Sequence, residues 1–133
     1  MNTEKEKLSL LADMIALAKS DGNIKDIEYR FLLTVAEQLG VEKKTLDKLF
    51  TTKVENVPLK PESERILQFH RLVLLMNIDR SSSPREIEKI KDLGIHMGLN
   101  PLATNKVLEI MHHYPDKVIP PDVLVRIFKT YYN

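Results

Sequence analysis

The chain contains no cysteine and no tryptophan, and only four glycines, four phenylalanines and four tyrosines. Without cysteine there is no disulfide framework, no thiolate zinc site and no Cys nucleophile, and the usage suits a reducing compartment, with the cytoplasm as the expected location. Four scattered glycines supply no phosphate-cradling loop. An aromatic content of 6% offers no base-stacking platform. An excess of either charge is missing too: 20 basic residues against 19 acidic leave +1, without the surplus of an electrostatic nucleic-acid binder. A long apolar run is also lacking. Met1 to Lys7 carries both signs, and the apolar stretch that follows is broken by Asp13 and Lys19. Neither a signal peptide nor direct membrane insertion is therefore expected.

What is present is helical periodicity, and the 133 residues are expected to form one domain, 1–133. Leu8, Leu11, Ala12, Ile15 and Ala18 mark one face of a first helix from about Glu4 to Ser20, widened by Leu10, Met14 and Leu17. Gly22 stops it. Ile27, Phe31, Val35 and Leu39 stripe a second helix that closes on Gly40, and a short third runs over Lys43 to Phe50. Thr51 to Lys60 reads as the one long connection. Pro61 is placed to begin a fourth helix, which contains five consecutive apolar residues, Leu72 to Met76, and is expected to be the most buried element, with no exposed face. Ser83, Pro84 and Glu86 form a complete capping box for a fifth, which stops at Gly98, and Asn100-Pro101 starts a sixth. His112 to Pro120 reads as a loop, and Pro121 opens a C-terminal helix over about 121–132. The expected fold class is all-α, with about seven helices and no strand.

Shifting the chain against itself by 58 residues, without a gap, superposes Leu17 on Leu75, Asp21 on Asp79, Glu28 on Glu86, Gly40 on Gly98 and Lys48 on Lys106. Apolar positions coincide as well, Leu11 with Phe69, Met14 with Leu72 and Leu32 with Ile90 among them. Such a register predicts two tandem three-helix repeats, about 4–51 and 61–113, related by pseudo-two-fold symmetry, plus the C-terminal helix. The first helix of each copy has the wide apolar face, so these two are expected to pack together at the centre.

The most distinctive stretch is the corner Asp21-Gly22-Asn23-Ile24-Lys25-Asp26-Ile27-Glu28. It matches the second half of an EF-hand loop, with Asp, Gly, an aliphatic residue and Glu at the fifth, sixth, eighth and twelfth positions. The first and third positions fall on Leu17 and Lys19, which cannot coordinate calcium, so an EF-hand is excluded. Glu28 has a structural use: with Lys25 as N-cap, it sits at N3, where it can accept the Lys25 backbone N–H and complement the helix dipole. Glu86 repeats this with a better cap. Asp21, near a helix C-terminus, opposes the dipole and calls for an Asx-type hydrogen bond from Asn23 or Ile24, or for a bound cation. The candidate metal ligands are thus Asp21, Glu28 and Asp26, with calcium or magnesium as the ion. In the second copy Gly22 is replaced by Arg80, whose charge disfavours a cation beside Asp79 and Glu86.

Leu17-Ala18-Lys19-Ser20-Asp21-Gly22-Asn23-Ile24, Glu28 and Ala36-Glu37-Gln38-Leu39-Gly40-Val41 together resemble the signature of the TerB-like (tellurite-resistance) helical family. The resemblance is good over residues 8 to 50, weaker from 66 to 111 and absent in the tail. It implies an all-α fold with an internal pseudo-repeat and an acidic surface suggested to hold metal ions. It further implies use as an interaction module in stress-response assemblies and, as a fused domain, in membrane-anchored DnaJ-type co-chaperones. Lys25 stands where a small polar N-cap is usual, and Lys19 and Arg30 dilute the acidic residues.

His70, His96, His112 and His113 are the only candidate bases near neutral pH, and none has Ser-His-Asp or His-x-x-x-His spacing. No convergent catalytic set can be named, so no enzyme is expected. Two readings remain. One is a helical interaction module with a protein partner or a second copy of itself, for which Ile119, Val123, Phe128, Tyr131 and Tyr132 either cap the core or seat the partner. The other is a weak divalent-cation-binding regulatory protein that uses the Asp-Gly corner.

Overall fold

Cap chemistry decides where the helices begin and end. In the computed structural model, which describes residues 3–79 and 82–131, there are seven α-helices and no strand. They are α1 (Glu4–Lys19), α2 (Asp26–Gln38), α3 (Lys43–Lys48), α4 (Glu62–Asn77), α5 (Pro84–His96), α6 (Pro101–Ile110) and α7 (Pro121–Thr130). The Ser83 hydroxyl accepts the Glu86 N–H at the start of α5, and Asn100 Oδ1 accepts the Leu102 N–H at the start of α6, the two caps expected from sequence. Pro61 lies one residue outside α4, as its N-cap, where a fixed φ and a missing N–H are equally harmless.

Helices α2 and α5 end in the same way. Gly40 N–H reaches Glu37 O and Val41 N–H reaches Ala36 O, while Gly98 N–H reaches Ile95 O and Leu99 N–H reaches Gly94 O. These are Schellman pairs, and they need a left-handed residue at C′; both glycines sit at φ +75°. The stretch expected to be a loop from His112 to Pro120 contains two 3₁₀ turns, Met111–His113 and Pro115–Lys117.

The wide apolar faces of α1 and α4 account for the centre of the core. Leu11, Met14 and Leu17 from α1 and Phe69, Leu72 and Leu75 from α4 are wholly buried, and α1 packs along α4 more extensively than any other two helices pack. Helix α4 is not buried all round, contrary to expectation. Helices α1, α5 and α7 cover it on three sides, and the strip through Ser63 and Leu67 stays in water, with Leu67 47% exposed.

At the C-terminal end, Ile119, Leu124 and Phe128 are buried, and Phe128 meets Phe69 edge to face with ring centroids 6.1 Å apart. Such an aromatic pair adds about 0.5–1.5 kcal/mol beyond its buried area. Helix α7 therefore caps the core with Leu124 and Phe128, joined by Ile119 from the segment before it; Val123 and Tyr131 are half-buried, and Tyr132 lies outside the described residues. The connection from Thr51 to Lys60 lies against α1, where Ser9 accepts the Val57 N–H at 2.9 Å, and Leu59 enters the core. No helix among the described residues is long and apolar enough to cross a membrane.

Candidate functional site: paired acidic corners

Helix α1 stops because Ser20 turns its hydroxyl back onto Leu17 O, at 2.6 Å, and Gly22 takes a φ of +113° that side chains avoid. The chain then runs extended through Lys25 and enters α2. There Glu28 does what its position predicts: its Oε1 accepts the Lys25 N–H at 2.9 Å. Fifty-eight residues on, Glu86 Oε1 accepts the Ser83 N–H at the same 2.9 Å. Both glutamates are only 2% exposed.

The two corners meet. Lys25, from the first, places its ammonium on the carboxylate of Asp79, from the second. Burial raises the Glu28 carboxyl above the usual glutamate range. The hydrogen bond from Lys25 opposes this, and the charges of Asp79, Glu86 and Asp21 push it further upward. Glu86 is raised in the same way, first by burial and then by Asp21 and Asp79, against the Ser83 N–H. The Lys25 ammonium is held protonated chiefly by its hydrogen bond to Asp79, with added support from the charges of Glu28 and Asp21. Four carboxylates from both halves of the chain thus act on one another, with the Lys25 ammonium among them.

The predicted ligands are placed unequally. Glu28 is buried and already engaged in capping α2. Asp21 is exposed in the corner, and the Asx-type bond expected from Asn23 or Ile24 does not form among the described residues. Asp26 is the exposed first residue of α2 and is not among the charges that shift Glu28 or Glu86. No three described Asp, Glu or His side chains come together as a metal site. Asp79 and Glu86, beside which the charge of Arg80 is expected to disfavour a cation, belong to the same electrostatic centre as Asp21 and Glu28; Arg80 itself lies outside the described residues. The signal that pointed to them was the 58-residue register, which pairs each with a member of the first corner.

The arrangement gathers negative charge around the ammonium of Lys25. Glu28 and Glu86 do the structural work at the base, while Asp21 and Asp79 face outward to different degrees: Asp21 is exposed, and the Asp79 side chain is 12% exposed beneath Lys25. The histidines are elsewhere in role. His70 is half-buried on α4 with its pKa lowered by burial and by the neighbouring Arg71 charge, and His112 and His113 are exposed in the turn that follows α6. Comparisons of the chain with protein-family models, with curated proteins and with solved structures give no match.

Proposed function

We propose that this chain is a non-enzymatic helical interaction module of TerB-like design, and that its joined acidic corners receive a cationic side chain from a partner protein. In this reading the chain is one domain of two three-helix copies, about 4–51 and 61–113, related by an approximate two-fold axis and followed by α7. Three observations support the duplication. The bounds of α1 and α2 recur 58 residues later in α4 and α5. The same Schellman turn closes the second helix of each copy, at Gly40 and Gly98. Gln68 Nε2 donates to Leu10 O, a bond between positions 58 apart, at 3.0 Å.

The observation that carries the binding role is the ammonium of Lys25 on Asp79. The centre has already selected a primary amine from its own chain, and Lys25 keeps 49% of its side-chain surface in water, so a partner's lysine or arginine has room to exchange with it. The expected setting is a cytoplasmic stress-response assembly of the kind the resemblance implies. A titration of the ¹⁵N-labelled protein with a lysine-rich peptide tests this. Saturable shifts are expected at Asp21 to Glu28 and at Asp79 to Glu86, reduced by added salt and lost in Asp79→Asn. Equal shifts with a glutamate-rich peptide would remove the electrostatic reading.

A second reading is weak divalent-cation binding at Asp21 and Glu28, with Asp26 as a further ligand and calcium or magnesium as the ion. It is supported by the Glu28 and Glu86 carboxyls, raised first by burial and further by the charges of Asp21 and Asp79, which a cation would offset. Binding at ten times Kd would stabilise the fold by about 1.4 kcal/mol. The expected result is a melting temperature that rises with millimolar calcium or magnesium and no longer rises in Asp21→Asn. A wild-type melting temperature indifferent to both ions would rule this reading out.

A further inference from the structure

Away from the corners, the first half of α1, the second half of α5 and the connection before α4 enclose a cavity of about 340 Å³. That is the lower end of the range for small-molecule sites, of the order of 300–1,000 Å³. Its polar groups fall into two sets. The first set is spent on the fold. The Ser9 hydroxyl donates to Asn56 Oδ1 at 3.3 Å and accepts the Val57 N–H, which fastens the connection over the opening. Gln68 Nε2 is bound to Leu10 O, and its Oε1 accepts from Arg71 at 3.2 Å.

The second set has bonding capacity left. Asp13 is half-buried on the cavity wall and has no hydrogen bond among the described residues. Burial raises its carboxyl above the ordinary aspartate range, and the charges of Lys89 and His96, acting from across the cavity, only partly offset this. Neither comes within ion-pairing distance of it. His96 Nδ1 lies 3.0 Å from Asp92 O, a carbonyl that can only accept, so Nδ1 carries the proton and Nε2 remains for another partner. Leu10, Leu59 and Leu93, all nearly buried, supply the apolar wall.

We propose that this cavity binds a small zwitterion of amino-acid size with an apolar side chain. Its ammonium would meet Asp13, its carboxylate would meet Lys89, and its side chain would lie on Leu10, Leu59 and Leu93. The ligand's charges are read from the cavity's own. Four polar groups of the wall can carry charge, Asp13, Lys89, Asp92 and His96; Asp92 and His96 are exposed at the rim, whereas Asp13 and Lys89 are half-buried, one of each sign, so a molecule with both charges satisfies the inner wall where a simple amine or a simple acid satisfies half. A ligand ammonium on Asp13 would also supply the contact partner that a desolvated carboxylate otherwise lacks. The site occurs once in the chain, because the position 58 residues after Asp13 is Arg71 and the position matching Lys89 is Phe31.

The test is a titration of the full chain, followed by ¹⁵N NMR and by calorimetry, with three probes: L-leucine, 3-methylbutylamine and 4-methylpentanoate. Saturable shifts centred on Ser9, Asp13 and Lys89 are expected with L-leucine, with both truncated probes binding about tenfold or more weakly. Asp13→Asn, which is close to isosteric, and Lys89→Gln, on a separate helix, are each expected to weaken L-leucine binding by a similar factor while the rest of the spectrum is unchanged. Should Asp13→Asn disturb the fold, the Lys89→Gln and truncated-probe results still decide. The absence of saturable shifts at millimolar L-leucine, or equal binding of L-leucine by the wild type and both variants, would overturn the proposal. So would preference for either truncated probe.

Discussion

Replacing Glu86 in two different ways separates what its hydrogen bond contributes from what its charge costs. Glu86→Ala removes the acceptor of the Ser83 N–H, which lies 2.9 Å from Oε1. A donor left without a partner costs about 1–3 kcal/mol when buried. Ser83 is half-buried, so water can reach part of it, and a loss of about 1–2 kcal/mol is expected, or roughly 3–8 °C in melting temperature for a chain of this size. Glu86→Gln keeps an acceptor in the same place and removes the charge. Because burial, Asp21 and Asp79 raise the wild-type carboxyl, the native state binds more protons than the unfolded state between the ordinary glutamate value and the raised one. The stability linked to that protonation is fully present below the unfolded value and is lost as pH rises through the folded one. Wild type should therefore lose ground to Glu86→Gln as pH rises, with the two closest near about pH 4 and the variant at its greatest relative stability near neutrality. Thermal unfolding followed by circular dichroism at a series of pH values measures this. If Glu86→Gln is as damaging as Glu86→Ala at neutral pH, or if its difference from wild type does not change with pH, the carboxylate is not held against its charge and the account of the corner is wrong.

Three further outcomes are expected. Gly40→Ala and Gly98→Ala each force a left-handed residue to carry a Cβ, at about 1–2 kcal/mol; Gly98→Ala should be the more damaging in urea unfolding, because its Cβ would lie 3.0 Å from Arg65 Nη1, which is donating to Met97 O. Phe69→Ala should cost about 3–5 kcal/mol in the same assay, since the ring is wholly buried and also supports Phe128. Ser9→Ala removes the acceptor of the Val57 N–H and should speed amide exchange across residues 54–60, with a global cost of about 1 kcal/mol; unchanged exchange there would show that Leu59 alone holds the connection.

The helices were legible because their ends are written locally. Ser83 with Glu86, Asn100 before Pro101, and Gly40 and Gly98 at C′ each act within four or five residues, and each sits where the sequence places it. Glu28 was legible for the same reason. What could not be read was anything set by the relative placement of distant helices. Lys25 and Asp79 are 54 residues apart and carry no spacing signal that pairs them. Asp13 served in the sequence only as a charge that breaks an apolar run; its burial depends on α5 and on the connection folded over by Ser9. The outward strip of α4 escaped notice because five apolar residues in succession fix the total burial of a helix better than the direction of its wet side, which here runs through Leu67.

The corner and the cavity share α1, which raises the question whether one senses the other. Asp13 and Asp21 are eight residues apart, or about 12 Å along a helix at 1.5 Å per residue. Across that distance two unit charges in water interact by roughly 0.3 kcal/mol, and physiological salt, with a Debye length of about 8 Å, reduces this to about 0.1 kcal/mol. A coupling of that size changes an affinity by less than a quarter. Any larger effect of a cavity ligand on the corner would have to be mechanical, through a shift of α1 against α4. The core opposes such a shift: Leu11, Met14 and Leu17 are wholly buried against side chains that are themselves wholly buried, and a close-packed interior does not deform continuously. Stabilisation by L-leucine and by a corner ligand should therefore add, and Asp13→Asn should leave the corner's response to lysine-rich peptide or divalent ions unaltered. Marked cooperativity between the two would mean that α1 has a second packed position, which nothing in the packing of its buried face provides.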